Sequence, residues 1–275
     1  MTRALRASLL TAAAAGVALA LSGCAGSAES ADATASDSLG TIKVGALQTP
    51  AGDILAHIAE NGAAEVGLTI EFVAFTDYNT PNTALSDGSI DANLFQNTTF
   101  LETYNENTGS DLVSVGEVYL PSAAFYSEKI DDLDDLDDGA SIAIPNDPTN
   151  EGRALKMLAA ADLIEVSDDV ADLTGITANP HEFEFKEIEN ATLPQALPDV
   201  DTAFVTIAFA LPAGLTADEA ILIEGDDSDY YNVLATRPEL VDDPRIVALY
   251  ELLLSDDTAE YMTETWGGLV VPVAD

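Results

Sequence analysis

Basic residues are scarce. Nine Lys and Arg stand against 49 Asp and Glu, a formal net charge of −40 over 275 residues. Such a chain repels phosphate backbones and anionic headgroups at long range, which excludes nucleic acid as a partner. With one cysteine, no intramolecular disulfide can form. The two histidines, His57 and His181, fall in different predicted elements, and neither neighbourhood supports a zinc site or a Ser-His-Asp triad. His57, flanked by Ile54, Leu55 and Ile58, reads as a packing or surface histidine. No Walker loop, GxGxxG or GxSxG occurs, and paired carboxylates carry no information in so acidic a chain. The sequence therefore points away from an enzyme and implies no cofactor and no metal. Apolar residues, by contrast, are plentiful. A hydrophobic content of 47% and a mean hydropathy of +0.14 argue against disorder and suffice for a large core. The length allows one or two domains.

Residues 1–23 read as a secretory signal: Arg3 and Arg6 precede and open an Ala/Leu-rich run that ends at Leu21. The run is short for a membrane span, and small residues follow it at once. Leu21-Ser22-Gly23-Cys24 resembles a bacterial lipobox, in which cleavage precedes a cysteine whose thiol carries lipid. Residues 24–38 (Cys24, then AGSAESADATASDS) are small, polar and aperiodic, and predict a flexible tether behind the lipidated Cys24. The expected location is the extracytoplasmic face of the cell membrane, with a lipid anchor. Seven basic residues follow the leader: Lys43, Lys129, Arg153, Lys156, Lys186, Arg237 and Arg245.

From Leu39 onward, short β-rich runs alternate with helical patterns. Strands are predicted at 41–47, 68–75, 90–95, 112–118, 141–144, 183–188, 202–206, 220–223 and 232–236. Helices are predicted at 52–64, 81–87, 149–161, 243–254 and 258–265. This alternation predicts an α/β architecture with largely parallel sheets. The acidic run Asp131–Gly139 fails the EF-hand template, because Leu136 and Pro145 occupy ligand positions. It reads instead as a solvated turn with two buried leucines.

Three stretches concentrate unusual chemistry. FTDYNTPNTALSDGSIDANLFQ (75–96) leaves Tyr78 and Phe95 near the ends of elements. In IPNDPTNEGRAL (144–155), Asp147 reads as an N-cap with Pro148 at the first helical position. Asn150 and Arg153 then lie three apart near one helix face. A guanidinium beside free helix amides suits a carboxylate, and a surface arginine offsetting nearby acids is the equal alternative. In DDSDYYNV (226–233), Asn232 offers either an acceptor to an ammonium or ordinary turn chemistry.

Together these blocks resemble the methionine-binding lipoproteins of the MetQ/NlpA type, solute-binding components of ABC importers. With YSEKIDDLDDLDDGASIAIPNDPTNEGRAL, YLPSAAFYS, LPQALPDVDTAFV and DSDYYN in order, the resemblance runs from Ile42 to about Trp266. It implies a two-lobed periplasmic-binding-protein-like fold of type II, with the ligand cleft between the lobes and two crossover segments. We expect lobe 1 at 39–118 plus 222–275 and lobe 2 at 119–221, with crossovers near 118–127 and 210–221.

The resemblance also assigns a pocket. Tyr78 and Phe95 match aromatic positions around a thioether side chain, Asn150 and Arg153 match residues that hold an α-carboxylate, and Asn232 matches a polar contact. Three positions depart from the family pattern. Asn97 replaces a histidine, Phe100 a tyrosine and Thr206 an asparagine. The implied partners are a small-molecule ligand (methionine, a related apolar amino acid or a small peptide), an ABC permease with a cytoplasmic ATPase, and the membrane through the anchor. The expected state is a monomer. The alternative is a lipid-anchored interaction or adhesion protein that keeps the fold with altered or lost ligand specificity.

Overall fold

The computed structural model describes residues 38–225 and 228–274. The signal, the lipidated Cys24 and nearly all of the tether expected at 24–38 lie outside the described residues. Among the described residues, no helix is long and apolar enough to cross a membrane.

The chain opens with strand β1 (Gly40–Leu47), helix α1 (Asp53–Asn61), β2 (Leu68–Phe75), α2 (Pro81–Ser86), β3 (Ala92–Asn97), α3 (Thr98–Thr108) and β4 (Val113–Pro121). Next come β5 (Ala123–Tyr126), β6 (Ser141–Pro145), α4 (Pro148–Ala160), a small hairpin of β7 (Glu165–Val166) and β8 (Ile176–Ala178), and β9 (Glu184–Ile188). They are followed by α5 (Leu193–Ala196), β10 (Thr202–Thr206), α6 (Ile207–Ala210) and β11 (Ala220–Ile223). The chain closes with β12 (Asn232–Thr236), α7 (Pro244–Leu253), α8 (Asp256–Trp266) and β13 (Val270–Pro272).

Two sheets organise these elements. One runs β13-β4-β12-β3-β1-β2 and the other β11-β5-β10-β6-β9. Each contains a parallel trio, β2-β1-β3 and β9-β6-β10, flanked by an antiparallel strand, β12 and β5 respectively. Strands β3, β6 and β10 are buried along nearly their whole length because helices cover both faces, whereas the edge strands β2 and β9 are largely exposed or half-buried. Ile42, Val44 and Ala46 pack with Ile54, Leu55, Ile246 and Leu249, while Leu85, Leu101 and Val233 fill the opposite face. In the second sheet, Ile142 and Ile144 meet α4, and Ala203 and Val205 meet α5 and α6.

The chain passes between sheets twice. The first passage is Pro121–Ala123, where β4 ends and β5 begins, within the stretch expected from the sequence. The second follows Ile223, later than expected at 210–221. The apolar segment Ala220–Ile223 is an edge strand on β5, so residues 222 and 223 belong with the second sheet. The strand β13 also returns to β4 beside the first passage, where the Ser122 amide donates to Leu269 O at 3.0 Å.

Other departures have local causes. Helix α3 was not predicted because TTFLETYNENT buries only Leu101. Its ends are specified by chemistry rather than periodicity: Asn97 caps the N-terminus and Gly109, at φ 70°, closes the C-terminus. Leu133 and Leu136 are half-buried rather than buried, because the acidic run is a shallow surface turn. His57 packs as expected, stacked on Tyr261 at 4.1 Å with Asp257 at 2.7 Å.

Helix α4 approaches the 170–171 backbone so closely that a Cβ on Gly152 would lie 2.5 Å from Val170 O. Glycine is required there despite its helix penalty. The same face buries Glu151, only 2% exposed, whose carboxylate accepts the Leu173 amide at 2.8 Å. Burial, reinforced by the charges of Glu187, Asp172 and Asp147, pushes its pKa up to about 7. A carboxyl raised in the folded state supports folding below its unfolded pKa, and that support is lost as pH rises through the folded value. Glu151→Gln, which keeps an acceptor for Leu173, should therefore raise the melting temperature at pH 8 and have little effect at pH 5. An equal shift at both pH values would refute this account.

Candidate functional site

The cleft residues come from both sheets. Tyr78 sits in the turn after β2, which Asp77 shapes by accepting the amides of Asn79 and Thr80 at 2.8 and 2.9 Å. Phe95 is on β3, Asn97 caps α3, and Phe100 lies in the first turn of α3. Asn232 opens β12 and pairs in register with Asn97. From the second sheet, Asp147 caps α4, accepting the Asn150 amide at 3.0 Å, and so orients the turn that carries Asn150 and Arg153. Thr206 ends β10.

All eight sequence-predicted residues line one cavity of about 20 Å³, together with Gln96 and Pro121. That is room for about one water molecule, so admitting a larger solute requires the walls to part. A larger groove of about 360 Å³ shares only Arg153 with them.

The walls touch directly. The Tyr78 hydroxyl lies 3.0 Å from Thr206 Oγ1, and the Tyr78 ring meets Phe209 of α6 at 4.9 Å. Burial pushes the Tyr78 pKa up to about 12, so this hydroxyl pair stays neutral at physiological pH. Tyr78, Phe95 and Phe100 form an aromatic triangle with centroid separations of 5.7, 5.7 and 6.1 Å. Beneath it, Asn82 and Gln96 exchange amide hydrogen bonds at 2.6 Å, and Asn93 joins both.

The polar residues are already engaged. Asn150 Nδ2 donates to the Asp147 carboxylate at 3.1 and 3.2 Å, and Asn232 Nδ2 donates to Tyr119 Oη at 3.2 Å. Asn97 Oδ1 accepts the Phe100 amide at 2.9 Å, so the residue expected from the resemblance to replace a histidine works as a helix cap. Arg153 differs most from expectation. Its Nε donates to Glu224 Oε1 at 2.7 Å, while Nη2 meets Glu224 Oε2 and donates to Pro121 O at 2.8 Å. The side chains of Arg153 and Glu224 are 3% and 6% exposed. The guanidinium also lies 4.8 Å from the centre of the Tyr230 ring. Arg153 is thus neither a surface arginine nor a free clamp: an internal carboxylate holds its side-on edge. Its Nη1 has no protein acceptor among the described residues.

Glu224 was missed because nothing in the sequence distinguishes one acid among 49. Phe209 and Gln96 were missed for want of any local signal, since their roles depend on contacts across sheets and across the α2–β3 junction.

The profile of the NlpA lipoprotein family matches residues 42–274. The chain belongs to the NlpA lipoprotein family. The D-methionine-binding lipoprotein MetQ of Salmonella typhi is 38% identical over 234 residues, covering 82% of this chain and 86% of that protein. An ABC transporter periplasmic substrate-binding protein from Coxiella burnetii superposes with a TM-score of 0.81 at 36% identity, covering 84% of this chain and all of that one. A nutrient-binding protein from Burkholderia cenocepacia, solved bound to methionine, gives 0.81 at 32% identity, covering 85% of this chain and all of that one. As in those NlpA-family and binding-protein relatives, the fold here is the two-lobed type II arrangement, and the two sheets described above are its lobes.

Two consequences for this NlpA-family chain are measurable. Asn97→Ala should lower stability by about 1 kcal/mol in urea denaturation, and Asn97→Asp should recover most of it. An unchanged midpoint for the alanine variant would show that the cap is dispensable. Thr206→Val removes the hydroxyl link between lobes, so small-angle scattering of the ligand-free protein should show a larger radius of gyration. An identical profile would mean that the link does not hold the lobes together.

Proposed function

We propose that this protein is an extracytoplasmic, lipid-anchored solute-binding protein that captures methionine or a related apolar amino acid and delivers it to an ABC permease powered by a cytoplasmic ATPase. The observation that carries this reading is a cleft lined from both lobes by an aromatic triangle and one guanidinium. An apolar side chain would occupy the aromatic end, and the α-carboxylate would reach the remaining Nη1 donors of Arg153 with Asn150 beside them. Asn232, whose amide oxygen has no protein donor among the described residues, would accept from the ammonium. Binding would favour the closed state because the solute touches both lobes. The protein would act by binding rather than catalysis, as a monomer with no cofactor.

Membership of a transport family whose relatives are named for methionine favours import over an adhesion role. The retained polar and aromatic lining favours it too, since an adhesion protein has no need of a lined cleft.

Truncating Arg153 is a poor test, because it leaves the Glu224 carboxylate buried and unpaired, a loss of about 3–5 kcal/mol. Ligand truncation is cleaner. Calorimetry on protein stripped by unfolding and refolding should show binding of methionine, at least tenfold weaker binding of methioninol, which lacks the carboxylate, and weaker binding of alanine, which keeps only a methyl in place of the thioether chain. An absence of binding across L- and D-amino acids and methionine-containing dipeptides would overturn the proposal in favour of an interaction protein.

A further inference from the structure

Among the described residues, Arg153 is the one cation lining the cleft cavity, and its pairing with Glu224 leaves it electrically neutral. Three of the five guanidinium N–H groups are committed, two to Glu224 and one to Pro121 O. Glu224 is itself fixed: its Oε1 accepts from Ser228 Oγ at 2.9 Å, its Oε2 faces the Ala123 amide at 3.3 Å, and its own amide donates to Ala123 O at 2.9 Å. The carboxylate therefore cannot swing away to make room for another without breaking a second set of bonds. Asp147, at the N-cap of α4, adds a further negative charge in the adjoining groove beside Tyr78 and Phe100, and among the described residues its carboxylate receives neutral amides from Asn150 and Asn190.

A lone buried guanidinium would attract any carboxylate, whatever else the solute carried. A guanidinium already paired side-on offers hydrogen bonds without net charge. Solutes are then sorted by their total charge as well as by their shape.

We propose that Glu224 is a specificity-determining residue, which by neutralising Arg153 restricts the cleft to solutes of zero net charge, the zwitterionic amino acids, and rejects anions of the same shape. The proposal rests on the reading of the cleft as an amino-acid site. It explains how a carboxylate-binding site can ignore the organic acids that share its carboxylate and its size.

The probes are L-methionine and its 2-hydroxy analogue, which has the same skeleton with a hydroxyl in place of the ammonium and carries one net negative charge. On the wild-type chain, calorimetry should give at least hundredfold weaker binding of the analogue. Glu224→Gln keeps an acceptor for Arg153 but removes the charge, and should narrow that ratio at least tenfold. Glu224→Asp, which keeps the charge, should leave the ratio near the wild-type value. A narrowed ratio in Gln but not Asp supports the proposal, and an unchanged ratio in a folded Gln variant overturns it, since a merely structural partner would weaken both ligands alike. Should the Gln variant not fold, Glu224→Leu carries the same expectation. Should neither fold, equal binding of the two probes by the wild-type chain overturns the proposal, and the hundredfold preference supports it. Failure of the underlying reading looks different, because the wild-type chain would then bind neither probe.

Discussion

The contact on which the rest of the site depends is the ion pair between Arg153 and Glu224. Taking both charges out of water is unfavourable, and the pair persists only because nearly every donor and acceptor around it is satisfied. Arg153 rises from helix α4 in the second lobe, while Glu224 and Pro121 stand at the two passages between lobes. The cation of the cleft is therefore fastened to the hinge itself. In the proposed closing motion, groups at the passages between lobes would move least and those far from them most, so the guanidinium would remain in place while the aromatic wall of the first lobe moved.

The surplus of acid gains a different meaning beside this pair. Most of the acidic groups project into solvent, where salt screens them within about 10 Å at 0.1 M. Those withdrawn from solvent act in a poorer dielectric. Glu224 cancels Arg153, Asp147 is spent on capping α4 and on amides, and Glu151 is held largely as the neutral acid below neutral pH. The interior resolves its acids one at a time by pairing, capping or protonation, and the composition of the whole chain says little about the charge that a solute meets.

Much of the frame was legible in the residues. LTIEFVAF, TAFVT, AILI and NVLAT became β2, β10, β11 and β12 because β-branched and aromatic runs between turn residues have few other uses. The Asp147-Pro148 start of α4 was equally legible, since an N-cap followed by proline is a local signal. Helix α3 was not, because its identity lies in its two caps and in threonine hydroxyls bonded to the preceding turn, while only one apolar residue faces the core. All eight expected residues converge on one cavity, but their hydrogen-bond partners were beyond reach. Glu224 and Tyr119 are 71 and 113 positions from the residues they hold, and a pairing at such separations leaves no periodic trace, whereas Asp147, three positions from Asn150, was legible as a cap.

The three departures from the family pattern share one physical direction. Asn97 spends its oxygen on the first turn of α3, Phe100 completes an aromatic triangle, and Thr206 bonds the tyrosine of the opposite lobe. Where the resemblance leads one to expect polar groups that orient a solute, these three side chains serve the protein's own cohesion. Hydrogen bonds lost to the solute weaken discrimination between solutes with different polar groups by about 1–3 kcal/mol where the partner group would be left unpaired. Bonds gained between lobes stabilise closure whatever is inside. On the proposed reading, a cleft altered in this way would rely on apolar shape at one end and on the neutral Arg153–Glu224 pair at the other, and its selectivity would follow from volume and net charge rather than from an extended set of hydrogen bonds.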